Sequence, residues 1–154
     1  MSHITEHRPS AEVDVRGPRF VAWVTTAVMV VVLLVSPVST VLAGALLAVQ
    51  AVVFAVGAGL GPRRHPYGVV FANLIAPRLG PVTEKEPVAP LKFAQAVGLL
   101  FAAVGVAGFV AGVPTLGQVA TGFALAAAFL NAAFGICLGC QLYPLFLRLK
   151  PTHS

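Results

Sequence analysis

The stretch "FVAWVTTAVMVVVLLVSPVSTVLAGALLAVQAVVFAVGAGL", residues 20–60, contains no Asp, Glu, Lys or Arg. A helix crosses a bilayer core with about 20 apolar residues, so this run is too long for one span and must hold two. Its only interruption is Ser36-Pro37-Val38-Ser39, where Pro fixes φ and suits a tight reversal. A second uncharged block, Phe93 to Leu147, is interrupted at Gly112-Val113-Pro114-Thr115. The reading is an all-α, polytopic membrane protein with four transmembrane helices at about 20–35, 38–60, 92–112 and 115–143.

Composition agrees. The 154 residues are 58% hydrophobic and 10% charged, with a mean hydropathy of +0.91, against roughly 45–50% and 25% for a soluble domain. A lipid bilayer is the expected environment, and no nucleic-acid partner is expected.

The basic residues fall in three zones. Arg8, Arg16 and Arg19 precede the first helix; Arg63, Arg64, Arg78, Lys85 and Lys92 lie around the central loop; Arg148 and Lys150 follow the fourth. Four spans put all three zones on one side, and the excess of Lys and Arg on cytoplasmic segments makes that side the cytoplasm. Val41-Leu42-Ala43 has the look of a signal-peptide cleavage site, but the apolar run continues through Leu60, so the first helix is expected to remain. The protein is expected in the cytoplasmic membrane, with residues 1–18 disordered, residues 19–148 a single transmembrane domain, and 149–154 a cytoplasmic tail. Within the loop 61–91, an apolar stripe at Val70, Phe71, Leu74 and Ile75 predicts an in-plane helix over about 67–76.

Offset by 78 residues, "GAGLGPRRHP" (57–66) aligns with "GICLGCQLYP" (135–144). The match suggests two parallel helical-hairpin repeats about a pseudo-two-fold axis along the membrane normal. Gly57/Gly61, Gly108/Gly112 and Gly135/Gly139 each form a Gly-x-x-x-Gly pair, a spacing that lets helix backbones approach closely in lipid. A homo-oligomer is compatible with such surfaces.

The chemistry-bearing feature is Cys137 and Cys140, the only cysteines. Three residues apart on a helix, they share a face, with Cα atoms close enough to bridge. Cys-x-x-Cys is the spacing of thiol redox pairs and of metal half-sites. Counted from Thr115, Cys137 lies about 33 Å along a helix rising 1.5 Å per residue, which places the pair at the cytoplasmic boundary. There the compartment is reducing and free, cycling thiols are expected. With the helix running to 143 the pair lies near a helix C-terminus, where the dipole disfavours a thiolate. Activation would then come from outside, from Arg63, Arg64 and His65 at the same depth, with Pro144 breaking the helix. Asn131, nearly two turns before Cys137, and Tyr143 complete the candidate substrate-binding or thiol-activating set.

The other amides within spans, Gln50, Gln95 and Gln118, suit hydrogen bonds to neighbouring helices. His65, His3, His7 and His153 are the remaining candidate ligands, and none is at paired spacing with Cys137 or Cys140, so no metal site and no cofactor are expected.

"GPRF", "GPRRHPYG", "PRLGP", "KFAQAVGLLFA" and "FLNAAFGICLGCQLY" together resemble an uncharacterised bacterial family of four-helix membrane proteins, a domain of unknown function with a C-terminal Cys-Leu-Gly-Cys signature. The resemblance covers about residues 14–148. Members of that family are often encoded beside thioredoxin-like proteins and rhodanese-type sulfurtransferases, which implies a place in thiol or sulfur handling. Family members often carry an acidic residue after the signature; this chain has Gln141, so no role needing a carboxylate there carries over.

The expectation is reversible disulfide or persulfide chemistry at Cys137 and Cys140 with a soluble partner, Cys140 attacking and Cys137 resolving. The alternatives are a non-enzymatic scaffold in which the cysteines pack, and permeation of a small sulfur anion collected by Arg63, Arg64 or His65.

Overall fold

The computed structural model describes residues 11–149. Expectations for residues 1–10 and 150–154 lie outside them. The described residues are mostly helical, with one two-stranded ribbon among them. In order come β1 (Glu12–Asp14), α1 (Arg16–Val35), α2 (Thr40–Leu60), α3 (Pro66–Val70), β2 (Lys85–Pro87), α4 (Val88–Val110), α5 (Pro114–Phe134) and α6 (Leu138–Leu149). The four long helices are each long and apolar enough to cross a membrane, so this is a multi-pass membrane protein.

Local chemistry explains the helix boundaries. Asp14 accepts from the backbone N–H of Arg16 at 3.0 Å and pairs with its guanidinium at 2.8 Å, opening α1. Ser39 accepts from the N–H of Leu42 at 3.1 Å as the N-cap of α2. Pro114 opens α5 where a missing N–H costs nothing.

The helices form one bundle. α4 lies against α2 and α5, and α1 against α5 and α2. Met29 and Val32 of α1, Leu47 and Phe54 of α2, Phe109 of α4 and Ala124 of α5 close the core. Leu34, Val41, Val49 and Val110 face outward and are exposed. Such apolar surface on both sides of a helix wall is stable only against lipid.

Each Gly-x-x-x-Gly pair divides its labour. Gly61, Gly112 and Gly135 have positive φ (86°, 78° and 69°) and sit where α2, α4 and α5 end, a conformation that disfavours any side chain. Their partners are the close-approach residues. A Cβ at Gly57 would lie 2.7 Å from Gln95, at Gly108 2.6 Å from the backbone of Gly117, and at Gly139 2.6 Å from Ala94. The 78-residue offset therefore matches Gly57 inside α2 with Gly135 at the end of α5, and matched glycines do different work.

Three expectations need correction. The fourth helix does not run to 143: Gly135 turns left-handed, the N–H of Ile136 reaches back to the carbonyl of Leu130 at 3.1 Å, and a new helix begins at Leu138. Pro144 lies inside α6 rather than ending a helix. Residues 12–14 are not disordered but pair antiparallel with 85–87, Val13 opposite Glu86. The helix expected over 67–76 is present: α3 runs on unbroken through a wider-wound stretch, Phe71–Ile75, and a tighter turn, Ala76–Arg78, with Phe71 buried against Phe20.

Candidate functional site

The break at Gly135 changes the chemistry of the cysteines. Cys137 now stands at the start of α6 instead of near the end of a long helix. The N–H of Cys140 donates to its Sγ at 3.1 Å, a sulfur taking the place of the usual Ser or Asp oxygen at a helix N-cap. Unpaired N–H groups and the positive end of the dipole favour a thiolate there. The cysteines, expected as free thiols, are joined in a disulfide, with Cα atoms 5.1 Å apart.

α6 is held on α4. Gly139 lets it sit against Ala94, and Phe93 stacks with Tyr143 and Phe146 at centroid distances of 5.8 and 5.0 Å. Tyr143 is therefore a packing contact beside the pair.

Behind Cys137 lies a partly open cavity of about 280 Å³, lined by α1, α2, α4 and α5, with Cys137, Leu138, Gly139 and Leu142 on its α6 side. Its walls are apolar, with Phe54, Phe101 and Phe123 among small alanines. Four polar side chains interrupt them: Thr25, His65, Gln95 and Asn131. Cys137 faces this cavity; Cys140 does not line it.

His65 is buried. Its Nδ1 accepts from the N–H of Tyr67 at 3.2 Å, so the neutral ring carries its proton on Nε2 and donates it to Oε1 of Gln95 at 3.1 Å. Burial lowers its pKa to about 4, only partly opposed by the bond to Gln95. The imidazole is neutral at neutral pH and cannot act as the thiol-activating cation that the sequence suggested. Gly57 makes this pairing fit, since a Cβ there would lie 2.7 Å from both Gln95 and the His65 ring.

Arg63 and Arg64 are exposed, and Arg63 donates to the carbonyl of Glu12 at 3.3 Å. Neither lines the cavity. The cation beside Gly135 is Arg19, whose guanidinium lies where a side chain on that glycine would collide. Arg19, Glu84, Glu86, Asn131 and Gly135 line a smaller recess of about 160 Å³. Burial raises the pKa of Glu86, Arg19 acts the other way, and Glu84 adds to the rise. Asn131 lines both recess and cavity. Among the described residues, no three His, Cys, Asp or Glu side chains converge as a metal site would require.

The structure thus brings Cys137, His65 and Asn131 to one cavity with Cys140 just outside it, and leaves Arg63, Arg64 and Tyr143 out of its lining. Sequence reading missed Thr25 and Gln95 as cavity residues. Thr25 gives no local signal, whereas Gln95, a lone amide in an apolar span, gives one that distinguishes no role. Gln118 and Gln50 do bond neighbouring segments, to Ser36 at 3.1 Å and from Tyr67 at 2.7 Å.

The chain matches the family described as Domain of unknown function (DUF4395) over residues 13–148. No curated protein and no solved structure matches it.

Proposed function

Because this chain belongs to the DUF4395 family, a domain of unknown function, its activity must be argued from its own residues, and we propose that it performs reversible thiol–disulfide or persulfide chemistry at Cys137 and Cys140 with a soluble thioredoxin-like or rhodanese-type partner. In this reading the protein sits in the cytoplasmic membrane, with both termini and the central loop on the cytoplasmic side. The pair then opens to partners in that compartment.

The observation that carries the proposal is the N–H of Cys140 on the Sγ of Cys137 at the start of α6. A partner thiolate attacks Sγ of Cys140, the Cys137–Cys140 bond breaks, and Cys137 leaves as a thiolate. A leaving sulfur that is stabilised as thiolate departs faster, and the helix N-terminus supplies that stabilisation. A second partner thiol then attacks the mixed disulfide, releasing Cys140 and a partner disulfide; two electrons have moved to the pair. With a persulfide partner, the sulfane sulfur transfers to Cys140, and Cys137 attacks the new S–S bond, re-forming the disulfide and expelling hydrosulfide. In both routes Cys140 takes the partner; Cys137 is the leaving thiolate in the first and, starting from the dithiol, the resolving thiolate in the second.

The test is trapping in intact cells with a membrane-permeant maleimide, read by mass shift with and without mild oxidant. The wild-type pair should interconvert between two labels and none. Cys137→Ser should accumulate a mixed disulfide at Cys140, and Cys140→Ser should not. A pair that stays in one state throughout, with no captured partner, overturns the proposal.

A further inference from the structure

We propose that the cavity beside Cys137 receives the head group of a lipid-soluble quinone, which takes two electrons from the Cys137/Cys140 dithiol. This rests on the dithiol reading above. A dithiol left by a partner has to lose two electrons and two protons before it can act again. In the step proposed, the two S–H bonds break, the S–S bond forms, and the quinone takes both electrons and both protons to become the quinol.

The cavity fits that acceptor in three respects. Its volume, about 280 Å³, lies near the lower end of the roughly 300–1,000 Å³ of small-molecule sites, enough for a ring system whose apolar tail continues into lipid. Phe54, Phe101 and Phe123 offer ring faces, and the chamber lies inside a bundle whose outer surface is itself apolar. None of its lining residues is Lys or Arg; a flavin or nicotinamide nucleotide would bring phosphates with nothing cationic to meet them.

The third respect is an unpartnered donor. Thr26 and Thr121 each donate their hydroxyl to the carbonyl four residues back at 2.7 Å. Thr25, 3% exposed and on the cavity wall, has no hydrogen-bond partner for its Oγ1 among the described residues. A buried hydroxyl left alone is costly, and a ligand carbonyl would satisfy it. Gln95 and Asn131 add amide groups to the same chamber. An acyl chain fills such a space but offers the hydroxyl nothing.

The test uses the full chain in lipid nanodiscs, reduced and kept without oxygen, with a short-tailed, fully substituted benzoquinone as probe. One quinol should form per disulfide regained. Thr25→Val should weaken the effect of the quinone roughly fivefold, the loss of one hydrogen bond, while Thr25→Ser keeps it and exchange with a soluble dithiol is unchanged in both. Binding is read separately by quenching of Trp23, the single tryptophan, in a Cys137→Ser, Cys140→Ser variant, so that failed binding and failed thiol chemistry are told apart. If the pair exchanges with soluble dithiols but the quinone neither quenches nor oxidises, or if only acyl lipid occupies the cavity and the quinone does not displace it, the inference falls and the dithiol reading stands. If the pair reacts with neither, both fall.

Discussion

The backbone N–H of Cys140 donates to Sγ of Cys137 at 3.1 Å, across a three-residue turn that opens α6. The relationship is one-sided, because Cys140 lies inside the helix where its own sulfur receives no such bond from the turn. When the pair is reduced, negative charge is therefore better tolerated on Cys137.

That asymmetry is measurable. In single-cysteine variants, Cys137 should be alkylated by iodoacetamide at lower pH than Cys140, with the two profiles separated along the pH axis. Superimposed profiles would mean that the helix start has no hold on the sulfur, and the resolving role given to Cys137 would lose its basis.

How this corner escaped the sequence is instructive. Four spans were legible because charge stops at Phe20 and Leu60 and again at Phe93 and Leu147, and lipid imposes that pattern on any chain that crosses it. The break between α5 and α6 leaves no such mark, since Ile136, Cys137 and Leu138 are as apolar as the helix before them. Only Gly135 signals it, and glycine is common enough in these helices to read as packing. The pairing of Val13 with Glu86 was hidden for a different reason: neither three-residue strand has a period of its own, and each exists through the other. Burial of His65 likewise depends on Gly57 and Gln95, far from it in sequence, so a histidine beside two arginines read as a cation.

Gly139 should be intolerant of any side chain. A Cβ there would lie 2.6 Å from Cα of Ala94 and 2.7 Å from its Cβ, with no flexible atom to give way. Gly139→Ala should lower stability by about 1–3 kcal/mol, the cost of overpacking, and should loosen α6 and its cysteines from α4. Gly59, where a Cβ meets nothing within 4 Å, is the control: Gly59→Ala should cost nothing measurable. Thermal unfolding in mild detergent, with the rate of re-oxidation of the pair, checks both.

Topology gives a third expectation. α2 has 21 residues, about 31 Å at 1.5 Å per residue, so the turn at 36–39 and the segment at 61–65 should lie on opposite membrane faces. In a cysteine-free background, Val38→Cys should be blocked by an impermeant maleimide added to whole cells. Arg64→Cys should be blocked only after the membrane is opened. The reverse pattern would turn the disulfide-bearing end outward and exclude a cytoplasmic partner.

The last expectation concerns pH. His65 has a folded pKa of about 4, below the 6.5 of an exposed imidazole, because burial opposes the charged form. A base with a depressed folded pKa binds protons more readily when the chain unfolds, so its neutral burial is fully tolerated above 6.5, and stability falls as pH drops from there toward 4. At 1.36 kcal/mol per pKa unit, the loss between pH 7 and pH 5 is about 2 kcal/mol. The fall should appear as a lower unfolding temperature at pH 5, and His65→Asn should flatten it whatever it does to stability at pH 7. The same titration bears on the cavity. Protonation of His65 puts a proton on Nδ1, which then cannot accept from the N–H of Tyr67, and brings a charge against Gln95 in an apolar chamber. Wild type should therefore lose quinone quenching of Trp23 as pH falls toward 4, before the bundle unfolds, whereas His65→Asn should not.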